Sequence, residues 1–170
     1  MIPSGSQPVR IGVLTVSDGC SRGERVDASG RLLEDWCLAE GHRLVQRETV
    51  PDQTEFIVPV LIRWADGGEV DVILTTGGTG LGPRDVTPEA TRAVLDRPAP
   101  GISEAIRRCG EAKTPFAPLS RGIAGSRGDV LVANLPGSPG GVRDGLQILT
   151  PLIRHSVGLL RESDTPHRQS

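Results

Sequence analysis

The sequence predicts an α/β fold: three layers, α/β/α, on a mainly parallel sheet. Three observations predict it. Short apolar runs rich in Val, Ile and Leu alternate with stretches of helical periodicity along the chain. The connections between them are short and marked by Gly, Pro and Asp. The only aromatic residues are Trp36, Trp64, Phe56 and Phe116, so aliphatic side chains must build the core, as suits helices on a parallel sheet. A chain of 170 residues makes one domain, expected over residues 9–160, with a flexible N-terminus at 1–8 and a polar tail at 161–170.

The elements follow in order. Val9–Ser17 (VRIGVLTVS) is a buried strand ended by Asp18-Gly19, and a polar loop runs to about Ala28. Ser29 is expected to cap a helix carrying Leu32, Leu33, Trp36 and Cys37 on one face, closed by Gly41. His42–Val50 alternates and is partly polar, which suits a strand near a sheet edge. Pro51-Asp52 ends it, and Thr54 starts a helix with Phe56, Ile57, Val60, Leu61 and Trp64 on one face. Pro59 predicts a kink or a late start there, and Gly67-Gly68 the end. Val70–Thr75 is the third and most hydrophobic strand.

Thr87-Pro88-Glu89 reads as a helix start with Thr as cap and Pro at the first helical position; Pro98 and Pro100 stop that helix. Another helix is expected over 102–112, and an irregular Gly-containing stretch over 113–128. Asp129–Ala133 returns to a strand. Asn134–Gly137 is a loop, and Ser138-Pro139 opens a last helix to about Leu160, broken or kinked at Pro151.

Composition excludes several functions. A formal charge of −2 leaves no electrostatic footprint for nucleic acid, and so few aromatics leave little for base stacking. Cys20, Cys37 and Cys109 are odd in number and far apart, which points to reduced thiols in a cytoplasmic protein rather than a disulfide or zinc site. The opening residues lack the charge and apolar run of a signal peptide, and no apolar run is long enough to span a membrane. His42, His155 and His167 stand alone, so no nucleophilic triad suggests itself.

In a parallel sheet the loops after the strand C-termini share one rim, where ligands bind. Four loops should converge there: Ser17-Asp18, Pro51-Asp52, Thr76–Asp85 and Asn134–Pro139. The stretch LTTGGTGLGPRDVTPEA (74–90) lacks the Lys of a Walker loop and has Pro83 where a dinucleotide fingerprint needs its third Gly. Directly after a buried strand and before a helix, Thr76, Gly77, Gly78, Thr79 and Gly80 can instead present successive N–H groups as an anion nest.

Asp52 and Asp85 at the same rim would repel an anion unless a cation intervened, and Mg²⁺ takes one or two carboxylates together with phosphate and water. Each acid has a plainer reading, Asp85 as a helix-start residue and Asp52 as a turn residue. Asn134-Leu135-Pro136-Gly137-Ser138-Pro139 is either a second backbone cradle or a strand-to-helix turn capped by Ser138. Ser120-Arg121-Gly122 and Gly125–Gly128 are either anion contacts or a solvated loop.

Together TTGGTG, PRDVTPEAT, VSD after the first strand, VPD after the second and NLPGSP after a later one resemble the MoaB/Mog family of molybdenum cofactor biosynthesis. The resemblance runs from Val9 to Leu160, and PFAPLSRGIAGSRGDVLVANLPGSPGGV is most similar to its molybdopterin-adenylylating branch. It implies a molybdopterin adenylyltransferase with ATP and molybdopterin as substrates, Mg²⁺ as cofactor and pyrophosphate as product. A family member that binds or scaffolds without transferring AMP is the alternative.

By the same resemblance Asp52 and Asp85 are catalytic and hold the metal. Thr76, Gly77, Gly78, Thr79, Gly80, Ser17, Asp18, Ser120, Asn134, Pro136, Gly137, Ser138 and Pro139 bind nucleotide or pterin. A homotrimer or hexamer is implied, as is hand-over to a molybdenum-insertion enzyme, with neither nucleic acid nor membrane as partner.

Overall fold

The computed structural model describes residues 7–162. A six-stranded sheet runs in the order β2-β1-β3-β6-β5-β4, built from β1 (Arg10–Val16), β2 (Arg43–Val50), β3 (Val72–Thr76), β4 (Arg97–Pro98), β5 (Ala124–Arg127) and β6 (Val130–Leu135). The β2, β1, β3 and β6 pairings are parallel; β5 and β4 add antiparallel to β6. The main helices are α2 (Ala28–Ala39), α3 (Thr54–Asp66), α4 (Thr87–Val94), α5 (Pro100–Glu111) and α6 (Pro139–Glu162), with a single turn, α1, at Asp18–Ser21.

Alternation along the strands creates two cores. Ile11, Val13, Val72, Leu74, Leu131, Ala133 and Leu135 face one side, where they meet α2, α5 and α6. Leu14, Val16, Ile73, Val130 and Val132 face the other, with Ile57, Leu61 and Trp64 of α3 and Ala90 and Val94 of α4. Covered on both faces, β1, β3 and β6 read as near-continuous apolar runs. β2 is an edge strand with mostly half-buried residues, as its polar alternation predicts.

The register levels the strand ends. Val16 pairs with Val50, Thr15 with Thr76, and Thr76 with Leu135, so the four exit loops leave the sheet together. β1 and β3 flank the switch point, because the chain leaves β1 for the β2 edge and returns to β3 on the other side.

Several local expectations are corrected. Asp27, not Ser29, caps α2, accepting from Gly30 N at 2.8 Å; Ser29 lies inside the helix. Thr87 does not cap α4: Val86 holds that position without a side-chain bond, and the Thr87 hydroxyl donates to Gly77 O at 2.8 Å. Helices α3 and α6 run without a break through Pro59 and Pro151. The stretch expected to be irregular contains β5, which pairs with a two-residue β4 ending in Pro98 at the sheet edge. Asn134 and Leu135 belong to β6 rather than to the loop after it. The expected flexible N-terminus and polar tail fall largely outside the described residues.

At the opposite end of the strands, Asp71 gathers three elements. Its carboxylate accepts from Arg10 N at 2.8 Å, from the Arg10 guanidinium at 2.7 and 3.2 Å, and from Arg161 of α6 at 2.9 Å. Burial alone would raise its pKa, but these donors hold the carboxyl below the usual range.

His42 is the converse case. Buried where α2 turns into β2, its ring stands 5.3 Å from that of Trp36, and its Nδ1 has no hydrogen-bond partner among the described residues. Burial, reinforced by Arg154 against Glu40, lowers its pKa. A folded state that disfavours the imidazolium loses stability as pH falls from the unfolded-state value, about 6.5, through the lower folded value. Thermal melts between pH 7 and 5 should therefore show a falling Tm, and His42→Phe, which keeps the aromatic contact, should flatten the decline. An unchanged pH dependence in that variant would assign the decline to other groups.

Candidate active site

The site is built around the end of β3. Gly77 has φ 99°, and its N–H donates to Leu135 O at 3.2 Å, which ties the loop to the end of β6. A Cβ added at Gly77 would lie 2.2 Å from Val16 O of β1, so only glycine lets the chain leave between its two neighbours. Thr76 Oγ1 donates to Pro136 O at 2.7 Å, joining the same two loops. Gly78, with φ 65°, leaves room for the Thr87 hydroxyl and for Asp52 Oδ1, which would stand 2.4 and 3.0 Å from an added Cβ.

Arg121 clamps the rest of the glycine loop. Its backbone N–H donates to Thr79 O, its Nε to Gly80 O and its Nη2 to Asp85 O, each at 2.7 Å, while Glu89 pairs with its guanidinium. The role is structural rather than ligand-facing. Arg127 likewise ties β5 to Asp66 and Val94 O.

Two cavities open on the rim and share Ser138, with Gly137 on the side of the first. The first, about 450 Å³, is lined by Ser17, Asp52, Thr76, Gly77, Gly78, Asp85, Gly137 and Ser138. Thr15, Cys20, Arg25, Asp27 and Ser29 complete its wall. The second, about 350 Å³, is more apolar; Ile106, Phe116, Ala117 and Pro136 line it, with Arg107, Lys113, Ser120, Ser138 and Asp144 as polar groups. Lys113 is paired with Asp144, and Arg107 donates to Ser120 O and Gly122 O. Phe116 is 71% exposed, a ring left open on the cavity wall.

The acids of the first cavity divide into paired and unpaired. Asp18 is held by both arms of Arg84, at 2.9 Å each, and this keeps its carboxyl below the usual range. Asp18 and Asp52 exchange bonds: Asp18 N donates to Asp52 Oδ2 at 2.8 Å, and Asp52 N to Asp18 Oδ1 at 3.0 Å. This pairing fixes the β1 and β2 exits to one another. Asp27 is saturated by Thr15 Oγ1 at 2.5 Å, Gly30 N and Arg47, and Arg47 also reaches Glu34 at 2.6 Å.

Asp52 has no cation at bonding distance among the described residues. Burial pushes its carboxyl above the ordinary range, and Asp18 and Asp85 push the same way, against the Asp18 N–H and Arg84. Asp85 accepts from Gly82 N at 2.9 Å, closing the glycine loop rather than capping α4.

A desolvated carboxylate facing a cavity beside a second acid fits a divalent cation. No cluster of three His, Cys, Asp or Glu side chains suited to a metal occurs among the described residues. Two carboxylates with ligand oxygens and water match the habit of Mg²⁺, which seldom takes an all-protein cage.

Placement differs among the remaining expected residues. Ser120 and Pro136 line the second cavity and Ser138 both; Asp18 stands in an adjoining cleft with Ser17 and Asp52. Thr79, Gly80 and Pro139 line neither cavity. Asn134 is turned inward: 2% exposed, its amide donates to Thr75 and Thr91 hydroxyls at 2.9 Å and accepts from Ile123 N at 3.1 Å. Its side chain is spent on packing and cannot reach a ligand.

Sequence reasoning missed Asp27, and it offered Ser29 only as a helix cap and Arg121 only as an anion contact or a solvated-loop residue. Ser29 donates to Gly137 O at 2.7 Å, tying α2 to the divider between the cavities. The polar cluster D-A-S-G at a helix start marked a cap but not this long-range contact.

Residues 12–155 match the family model described as "Probable molybdopterin binding domain". The chain is 38% identical to the Molybdopterin adenylyltransferase of Helicobacter pylori strain J99, covering 91% of this chain and 89% of that protein. It is 41% identical to the Molybdenum cofactor synthesis protein cinnamon of Drosophila melanogaster over 91% of its own length, but spans only 26% of that longer protein. The crystal structure of the molybdopterin biosynthesis enzyme MoaB from Thermus thermophilus superposes with a TM-score of 0.84 at 48% identity, covering 89% of this chain and 96% of that one. With the family model spanning most of the described fold and both cavities opening from its loops, the chain belongs to the molybdopterin-binding family of molybdenum cofactor biosynthesis proteins.

Proposed function

We propose that the protein is a molybdopterin adenylyltransferase. An oxygen of the terminal phosphate of molybdopterin forms a bond to the α-phosphorus of ATP. The bond from that phosphorus to the oxygen bridging to the β-phosphate breaks, and pyrophosphate departs. The observation that carries the reading is the pair of cavities that meet at Ser138, with Asp52 and Asp85 in the first. Two phosphorylated substrates can enter from either side of a backbone divider and meet beside the acids. Similarity to an adenylyltransferase across nearly the whole of both chains supports it.

The apolar second cavity, with Phe116 open on its wall and Ser120 beside it, suits the flat pterin. The glycine walls of the first admit phosphates close to the backbone. Asp52 and Asp85 would hold Mg²⁺, which when bound offsets the charge of the attacking and transferred phosphates and of the leaving pyrophosphate. Asp18, bound to Arg84 and exchanging bonds with the Asp52 backbone and carboxylate, orients Asp52 toward the cavity. No protein nucleophile is required.

Threefold association and a cytoplasmic location belong to the same proposal. No helix among the described residues is long and apolar enough to cross a membrane. Hand-over of the adenylylated pterin to a metal-inserting partner is consistent with the domain occurring within a longer cofactor-synthesis protein.

Purified protein incubated with molybdopterin and Mg-ATP should release pyrophosphate and form the adenylylated pterin. Pterin binding without either product would favour the binding-only alternative. Asp85→Asn keeps the shape and an acceptor for Gly82 N but removes the charge. It should lower kcat/KM by about 10²–10³-fold, the scale of losing one preorganised electrostatic group, with pterin affinity changed only a few-fold.

The sharing of one metal by Asp52 and Asp85 is tested by combining their Ala variants at saturating Mg²⁺. Groups acting as a unit should make the double variant little worse than either single one. Losses that add in free energy, or wild-type Mg²⁺ dependence in either single variant, would separate the two acids.

A further inference from the structure

We infer that the cleft adjoining the first cavity receives the β- and γ-phosphates of the nucleotide, and then the departing pyrophosphate, with Arg25 as their cationic partner. The inference rests on the adenylyl-transfer reading and extends it to Arg25, a residue outside the expected set, in a cleft that the expected Ser17, Asp18 and Asp52 also line.

The cleft, about 430 Å³, is walled by Asp18, Gly19, Arg22 and Glu24. It shares Ser17, Arg25 and Asp52 with the first cavity, so these three stand at the passage between the spaces. A triphosphate whose α-phosphorus lies beside Asp52 has to run its remaining phosphates outward. The cleft is the space on the far side of Asp52.

The cations around it are not equivalent. Arg84 is committed to Asp18 by two bonds of 2.9 Å, and Arg22 to Glu24 by two of 3.0 Å. Among the described residues no hydrogen bond or ion pair is formed by the Arg25 guanidinium, although the carboxylates of Asp27 and Asp52 line the same cavity.

Arg25 is nevertheless well placed. Its backbone N–H and that of Glu24 both donate to Gly19 O, at 3.2 and 2.9 Å, folding the 19–27 loop back on α1. The side chain lies along Gly19, where an added Cβ would come within 3.4 Å of Arg25 Cβ and 3.8 Å of Nε. The stem lies against Gly19 and the guanidinium stands at the passage between the two spaces.

Pyrophosphate leaves with several negative charges next to Asp18 and Asp52. A planar guanidinium that can bind two of its oxygens at once offsets that charge with directed hydrogen bonds. Arg25 is exposed, so replacing it leaves the core intact.

The test is calorimetric titration of wild type, Arg25→Ala and Arg25→Lys with Mg-ATP, inorganic pyrophosphate and AMP. Arg25→Ala should weaken ATP and pyrophosphate on the order of tenfold, the scale of losing charge-assisted hydrogen bonds, and leave AMP within about twofold. Arg25→Lys should recover part of the loss. In turnover, the KM for ATP should rise while affinity for molybdopterin stays unchanged. Equal weakening of AMP and ATP, or no weakening of either, would overturn the subsite while leaving adenylyl transfer standing. Failure of the wild-type protein to bind Mg-ATP would remove the adenylyl-transfer reading and this inference with it.

Discussion

The site depends on how closely three strands bring their backbones together at Gly77. The loop must pass between Val16 O of β1 and Leu135 O of β6, hydrogen bonding to the second while almost touching the first. Any side chain there would collide with β1, and the positive φ excludes most residues in any case. From that constraint follow the Thr87 hydroxyl on Gly77 O, which seats α4, and the Thr76 hydroxyl on Pro136 O, which seats the loop before α6. Helix α4 and the loop that opens α6 are therefore positioned by atoms of one short turn. The divider is positioned by it too, since Gly137 packs so near that an added Cβ would lie 3.2 Å from Gly77 Cα.

On the proposed reading, that rigidity lets two acids suffice. A carboxylate contributes to catalysis when held ready, with its reorganisation cost met during folding. Asp52 is held through its own backbone and one oxygen by Asp18, and Asp18 is held by Arg84. Asp85 is held by Gly82 N on one side, while its carbonyl is fixed by Arg121. Ser29 fixes the divider from the α2 side. These supports come from four separate segments, and most are single hydrogen bonds to backbone carbonyls or amides.

Much of the fold was legible because its strongest signals are periodic. Buried parallel strands announce themselves as apolar runs, and Val9–Ser17 and Val70–Thr75 differ from β1 and β3 only at their ends. The four-loop rim follows from parallel topology alone. What stayed hidden has a common cause. β4 and β5 are two and four residues long, too short for a period, and they are placed by pairing, β5 on β6 and β4 on β5, rather than by local sequence. Ser29, Thr87 and Asn134 carry side chains suited equally to caps, ligands or packing, and only long-range partners decide among these. Arg121 was open between an anion contact and a solvated loop, because sequence shows its charge and not the carbonyls it meets. Helices α3 and α6 continue through Pro59 and Pro151, with buried residues on both sides of each proline to hold them to the core.

The balance of charge in the first cavity gives the last step. Folding satisfied Asp27 with Arg47 and Asp18 with Arg84, so the chain had the means to neutralise carboxylates at this rim. Asp52, buried, with like charges nearby, was left without such a partner, at a cost visible in its raised pKa. A fold that places local interactions consistently elsewhere and departs from that rule at one cavity concentrates the unfavourable energy where a bound cation would release it. On the proposed reading, the unneutralised acid contributes to the affinity of the site for a metal-bearing anion. Removing its charge would be expected to stabilise the empty protein slightly even as it removes the reason for a metal nucleotide to bind.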